Sequence, residues 1–123
     1  MAAPNLAAPN TITGKSVFTT CTSTNAVVLL TNGTASSACL RVTSLAVANI
    51  DGTNAADATV EIYNATASGT AYSLAKTISV PADSTLVVIG RDNPVNLEED
   101  RRIEVKASAA DDLAFIVSYE EIK

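Results

Sequence analysis

Imidazole, the side chain that most often moves protons at neutral pH and most often ligates zinc, is missing from this chain, which has no His. Any catalysis would fall to carboxylates, Ser, Thr, Tyr, Lys or the two cysteines, Cys21 and Cys39. A hydroxyl becomes a nucleophile only beside a base, and no His is there to act as one. Two cysteines do not make a disulfide framework. They read first as free, buried, structural thiols and second as a disulfide between neighbouring strands.

Two acidic clusters have the residue types of a binding site. Asp51, Thr53 and Asp57 could offer oxygens to a hard cation, but no bidentate Glu closes the loop as in an EF-hand, so the segment reads as a polar β-hairpin loop. Glu98-Glu99-Asp100-Arg101-Arg102 sets three acids beside two bases. It reads either as a solvated loop or as a subunit contact made by Glu98, Glu99, Arg101 and Arg102, with each exposed ion pair worth about 0–1 kcal/mol. Nothing nearby would drive two of its carboxyl pKa values apart, as an acid–base pair requires. Asn32-Gly33-Thr34 and Asn64-Ala65-Thr66 match the N-glycosylation pattern and are expected to be coincidental. The expectation is therefore a protein without a catalytic centre, cofactor or metal.

The charge balance narrows the partners. With 13 acidic against 8 basic residues and a net charge of -5, the chain should repel nucleic acid and anionic membrane surfaces. No run approaches the roughly 20 apolar residues of a membrane helix. The first fourteen residues lack the basic start and apolar centre of a secretory signal, so the product is expected to be soluble and made in a cytoplasm.

The elements behind these residues are strands. At 123 residues the chain suits one domain, and its Val, Ala, Ile, Leu and Thr, with 4% aromatics and no Trp, suit pleated sheets. Short apolar runs at 16–21, 26–31, 38–50, 58–64, 72–80, 85–89, 102–107 and 113–119 are separated by Gly, Asn, Asp, Ser and Pro, which predicts about eight antiparallel strands. In the last run Leu113, Phe115, Val117 and Tyr119 share one face and Ala114, Ile116 and Ser118 the other, and both faces read as at least partly buried. Leu74, Ile78 and Val80 share a face with Lys76, which predicts an edge strand, a bulge or a lysine that reaches out to water. Asn32-Gly33 and Asp51-Gly52 are the residues that tolerate positive φ in turns. The expected fold is an all-β antiparallel sandwich, Ig-like or jelly-roll-like, over 15–123, with a closed barrel as runner-up.

Residues 1–14 read as an extended arm. The repeat Ala2-Ala3-Pro4-Asn5 and Ala7-Ala8-Pro9-Asn10 disfavours helix. A frayed terminus is the plain reading. The apolar Leu6 and Ile12 tip the balance toward a docked arm, in which Pro4, Leu6, Pro9 and Ile12 lie on a neighbour.

Residues 42–60 (VTSLAVANIDGTNAADATV), 78–89 (ISVPADSTLVVI), 97–103 (LEEDRRI) and the ending Ser118-Tyr119-Glu120-Glu121-Ile122 carry a resemblance that extends over nearly the whole chain. Together they resemble small virion structural proteins of tailed bacteriophages, notably those of cyanobacteria. The resemblance implies an Ig-like or related sandwich, location in the virion and a role in assembly rather than chemistry. It transfers no binding residue, and Cys21 and Cys39 are not part of it. On this reading the first expectation is a capsid decoration or cement protein, a symmetric homo-oligomer such as a trimer, seated on the major capsid protein. A neck, tail or fibre-attachment component is the second. A carbohydrate-binding adhesion module is the third, with Tyr63 and Tyr72 as its contacts, since Phe18, Phe115 and Tyr119 read as core.

Overall fold

The short apolar runs fold into nine strands in the computed structural model, which describes residues 3–123. In chain order these are β1 (Ile12–Thr20), β2 (Val27–Asn32), β3 (Cys39–Asn49), β4 (Ala56–Tyr63), β5 (Ala71–Val80), β6 (Thr85–Ile89), β7 (Val95–Leu97), β8 (Arg101–Ala107) and β9 (Leu113–Ile122). No described residue is helical. β7 is the strand that periodicity does not announce, because its three residues are too few to show an alternation.

The strands make two antiparallel sheets, β1-β9-β3-β6 with β7 also paired to β3, and β2-β8-β4-β5. The pairing is nested: β1 with β9, β2 with β8, β3 with β6 and β4 with β5. Only β4 and β5 are both consecutive in the chain and hydrogen-bonded to each other. A long hairpin folded over on itself in this way is a jelly roll, which selects between the two expected kinds of sandwich. The expected hairpin loop around Asp51 is corrected by the same fact. It joins β3 in one sheet to β4 in the other and is a crossover. Crossovers do not require the tight primed turns of two-residue hairpins, and Gly33 and Gly52 do not adopt positive φ. The left-handed positions are Ser37, Ser68, Thr77, Asp83, Asp100, Asp111 and Gly69.

Between the sheets Val42, Leu45, Val47, Val60, Leu97, Ile103, Val105, Leu113, Phe115 and Val117 are fully buried. Each such side chain stabilises the fold by about 1.5–3 kcal/mol relative to exposure. The alternation of β8 and β9 sends these residues inward. In β5 the alternation fails, because the register slips between Ala58 and Val60, where Ala58 faces Ile78 and Val60 faces Ala75. The extra residue lets Ala75 and Val80 both point inward and leaves Leu74 and Ile78 exposed.

Two buried asparagines fasten the ends of the sandwich. The Asn32 Nδ2 at the end of β2 donates to Ala38 O and Leu97 O, both at 2.9 Å, and the second of these belongs to the other sheet. The Asn49 Nδ2 at the end of β3 donates to Asn54 O and Val80 O, again at 2.9 Å and again reaching the opposite sheet. Each amide spends both hydrogens on carbonyls that the crossing chain would otherwise leave without a partner.

Candidate interaction surface

The two outer faces of the sandwich differ in chemistry. On the β2-β8-β4-β5 sheet, the residues between the buried ones of β4 and β8 are Asp57, Thr59, Glu61, Tyr63, Arg102, Glu104 and Lys106, a charged and wetted surface. On the β1-β9-β3-β6 sheet the corresponding outward residues form cross-strand rows. Phe18 faces Ile116, Ile116 faces Ala46 and Ala46 faces Val87, so one apolar row spans all four strands. Phe18 is 71% exposed, Val87 62% and Ile116 48%. The row on one side is Thr20, Ala114, Ala48 and Thr85, and on the other Ser16, Ser118 and Ser44. None of these residues carries a charge.

Charges gather at one end of that face, where Arg41 pairs with Glu120 at 3.7 Å, while Lys15 and Glu121 pair at 3.3 Å on the alternate side of the same strands. Arg91 joins Lys15 and Glu120 there in lining an open, hydroxyl-rich hollow with Ser16, Thr43, Ser44 and Ser118. Scattered exposed apolar residues are ordinary on protein surfaces, whereas a contiguous row across a sheet makes this face a candidate contact surface. Phe18 therefore corrects the sequence expectation that placed it in the core. Alternation shows that two faces exist, and only the packing of the second sheet decides which one is covered. Ile116 is half exposed for the same reason.

The N-terminal segment and the charged loop come together. Ala3, Pro4 and Leu6 wall a groove of about 220 Å³ with Ala38, Cys39, Asn96, Glu98 and Glu99. The segment is not extended throughout: Asn5 Oδ1 accepts from Ala7 N, and Asn5 O accepts from Ala8 N at 3.1 Å, which makes a turn. Pro9 is half-buried, and Asn10 N and Thr11 N donate to Lys123 O. Ile12 is exposed but belongs to the β1 ladder opposite Ile122, as do Thr13 and Gly14 opposite Glu121 and Glu120. Ladder pairing therefore begins inside the stretch read as arm. Met1 and Ala2, the start of that stretch and of its repeat, lie outside the described residues.

Within the charged loop the members have separate tasks. Glu98 and Arg101 form an exposed pair at 2.8 Å. Glu99 accepts from Ser37 N. The Oδ1 of Asp100 accepts from Thr66 N at 3.0 Å and Thr66 Oγ1 at 2.6 Å, and these two bonds hold its carboxyl below the usual range. The Arg102 Nε donates to Glu104 at 2.5 Å, its Nη1 donates to Ala65 O and Ser68 O, and its guanidinium stacks 3.9 Å above the Tyr63 ring. Asp100 and Arg102 thus fix the loop between β4 and β5, in which Gly69 has φ +87° and a Cβ would come within 2.9 Å of Asn64 Oδ1.

The remaining chemical candidates stay apart. Cys21 N donates to Leu113 O, at one end of β9, while Cys39 sits opposite Ile122 at the other. At ~3.3 Å per residue the two thiols lie roughly 25–30 Å apart. A disulfide needs Cα atoms within about 7 Å, so the cross-strand pairing is excluded and both are free and buried. Burial pushes both thiols up, away from the reactive thiolate. Asp51 turns its carboxylate onto Thr53 N and Asn54 Nδ2, and no cluster of three metal-ligating side chains occurs among the described residues. Ser73-Leu74-Ala75-Lys76 has the spacing of a Ser-x-x-Lys motif, but on β5 it separates the two groups by ~10 Å, and the Ser73 hydroxyl donates to Glu61 instead. Asn32 is buried with both amide hydrogens engaged, which closes that glycosylation pattern.

No protein-family model matches the chain, and no curated protein matches it. Among solved structures, the chain is similar to a subunit of Bacillus endospore appendages, described as a novel family of disulfide-linked pili. The TM-score is 0.56 at 13% identity, over 92% of this chain and 87% of that one. Two structures of infectious bursal disease virus, the T13 particle and the Gx strain, align with TM-scores of 0.49 and 0.46 at 10% identity, over 93% of this chain and 31% and 32% of theirs. At these identities the likeness to the appendage subunit is one of fold: a β-sandwich in two antiparallel sheets.

Proposed function

We propose that this chain is a non-enzymatic structural subunit of a virus particle, a decoration or cement protein that docks on the major capsid protein and reinforces its lattice. The observation that carries the reading is the outer face of the β1-β9-β3-β6 sheet, where Phe18, Ile116, Ala46 and Val87 form one row flanked by uncharged rows. A surface of this kind is useful to a protein that spends its life in contact with another. The similarity in fold to a protein of pili supports an assembly role without identifying the assembly. The virion assignment itself rests on the sequence resemblance. The net charge of -5 favours a protein partner over nucleic acid.

Weak individual contacts repeated over a lattice add up through multivalency, so a modest apolar face suffices. The groove that joins Pro4 and Leu6 to Glu98 and Glu99 would be a second contact region. A neck or tail component is the alternative location. A glycan-binding role is disfavoured because the Tyr63 ring is already covered by Arg102, leaving Tyr72 as the exposed tyrosine.

The test is the copy number of the chain relative to the major capsid protein in purified particles, by quantitative mass spectrometry. A ratio near one, or a simple fraction of it, supports decoration. A ring's worth of copies moves the protein to the neck or tail, and absence from particles overturns the virion reading.

A further inference from the structure

Sheet edges are where proteins normally defend themselves against unwanted pairing, by bulges, short strands, inward charges or prolines. Three of the four edges here carry such defences. β5 has two register shifts, a left-handed Thr77 and Lys76 in mid-strand. β2 is six residues long and slips register between Val28 and Leu30. At the third edge β6 has five residues, and after the turn through Pro94 the pairing to β3 passes to the three residues of β7.

β1 has no bulge, no proline and no shortening, and its one inward charge has a partner on the neighbouring strand. Its nine residues pair one-for-one with β9, Ile12 with Ile122 through Thr20 with Ala114, without a slip and without a proline. Every second residue of such an edge turns its N–H and C=O away from the neighbouring strand. The single charge on the strand, Lys15, is tied to Glu121 on β9 at 3.3 Å.

We propose that β1 pairs with β1 of a second copy, antiparallel about a two-fold axis perpendicular to the sheet. Only another β1 offers an unslipped edge of the same length, since the β6 edge is interrupted. Self-pairing also meets no charge penalty. With the axis at Ser16, Lys15 faces Val17 of the second copy, and with the axis at Val17 it faces Thr19, so the two lysines are not brought opposite each other. The axis keeps both outer faces on the same side, so the two sheets merge into one and both Phe18 rows lie on the same face of it, offset along the seam. Strand pairing of this isologous kind closes at two copies, in contrast to the trimer expected from sequence. The seam is short, ~30 Å, so the pairing is weak and concentration-dependent. It does not depend on where, or whether, the protein sits on a particle, and its test needs only the purified chain.

The test is cysteine crosslinking in the full chain carrying Cys21→Ser and Cys39→Ser, with Gly14→Cys, Ser16→Cys, Phe18→Cys and Thr20→Cys introduced one at a time and also mixed in pairs. These side chains are exposed, so the variants should fold, which thermal melts verify. An axis at Ser16 predicts that Ser16→Cys links to itself and that Gly14→Cys links to Phe18→Cys. An axis at Val17 predicts no self-linking position, with Ser16→Cys joined to Phe18→Cys and Gly14→Cys to Thr20→Cys. A cysteine two residues from the axis is ~14 Å from its own copy and outside disulfide range. Hydrogen exchange at high against low protein concentration should show at least tenfold added protection at alternate β1 amides. Equal linking at every position, linking only in mixtures with Val87→Cys on β6, or exchange unaffected by concentration would overturn the proposal.

Discussion

Asn32→Asp replaces one side chain by another of the same shape and reverses the chemistry of a buried site. In the native protein the Asn32 Nδ2 donates to Ala38 O and Leu97 O at 2.9 Å each, and its Oδ1 accepts from Ser36 Oγ, in a position 1% exposed. The aspartate would lose both donors and direct a charged oxygen at two carbonyl oxygens. Each lost bond costs about 1 kcal/mol, and each buried acceptor left unpaired costs about 1–3 kcal/mol more. A loss of about 4–8 kcal/mol at neutral pH follows, which with a urea slope of about 1–3 kcal/mol/M lowers the midpoint by roughly 1 M or more. Burial among carbonyls raises the new carboxyl's pKa in the folded form. The folded variant therefore holds its proton more tightly than the unfolded chain, and its deficit narrows as pH falls, since the protonated acid regains one donor. Ser36→Ala keeps both donated bonds but leaves Asn32 Oδ1 and Ala38 N without Ser36 Oγ, so it destabilises the same corner by a separate route. If Asn32→Asp cost less than about 1 kcal/mol in urea titrations at neutral pH, the fastening role of Asn32 would be refuted.

The outer face should separate stability from docking: Val87→Lys and Ile116→Lys should each change unfolding free energy by less than about 0.5–1 kcal/mol while lowering incorporation into particles severalfold, measured by mass spectrometry of purified particles. Unchanged incorporation would remove that face from the contact. Both thiols should react with a thiol reagent only after denaturant is added, and non-reducing gels should show a monomer, because both are buried and far apart. Asp100→Asn should flatten part of the acid limb of stability. The folded carboxyl lies below its ordinary 3.8, so its contribution is present above that pH and is lost as pH falls through the depressed folded value, a loss the amide cannot show. Deletion of residues 3–9 should leave the thermal transition nearly unchanged and weaken particle incorporation, whereas deletion through residue 13 should also destabilise the fold by removing Ile12 and Thr13 from the β1 ladder.

Strands are legible in the sequence wherever an alternation runs for five residues or more. Leu113, Phe115 and Val117 announce β9, and Ile103 and Val105 announce β8, because a period of two can bury only one face. β5 is legible as an irregular strand but not in its facing, since the single inserted residue that turns Ala75 and Val80 inward leaves no mark in composition. The candidate surface is less legible still. Its four residues, Phe18, Ala46, Val87 and Ile116, come from four distant strands and become neighbours only through register. The charged loop illustrates the same limit: five adjacent residues look like one patch, yet Glu98 and Arg101 remain at the surface while Asp100 and Arg102 fasten a neighbouring loop.

Composition and alternation are enough for the class of fold and for the lack of imidazole. Local alternation requires strands, and the absence of His is a matter of composition. Long-range packing sets the nested order of the strands, the distance between the cysteines, and which face of the first sheet meets water. Those properties depend on contacts between residues as far apart as Ile12 and Ile122, and such contacts are selected by the joint packing of all the strands rather than by any segment alone.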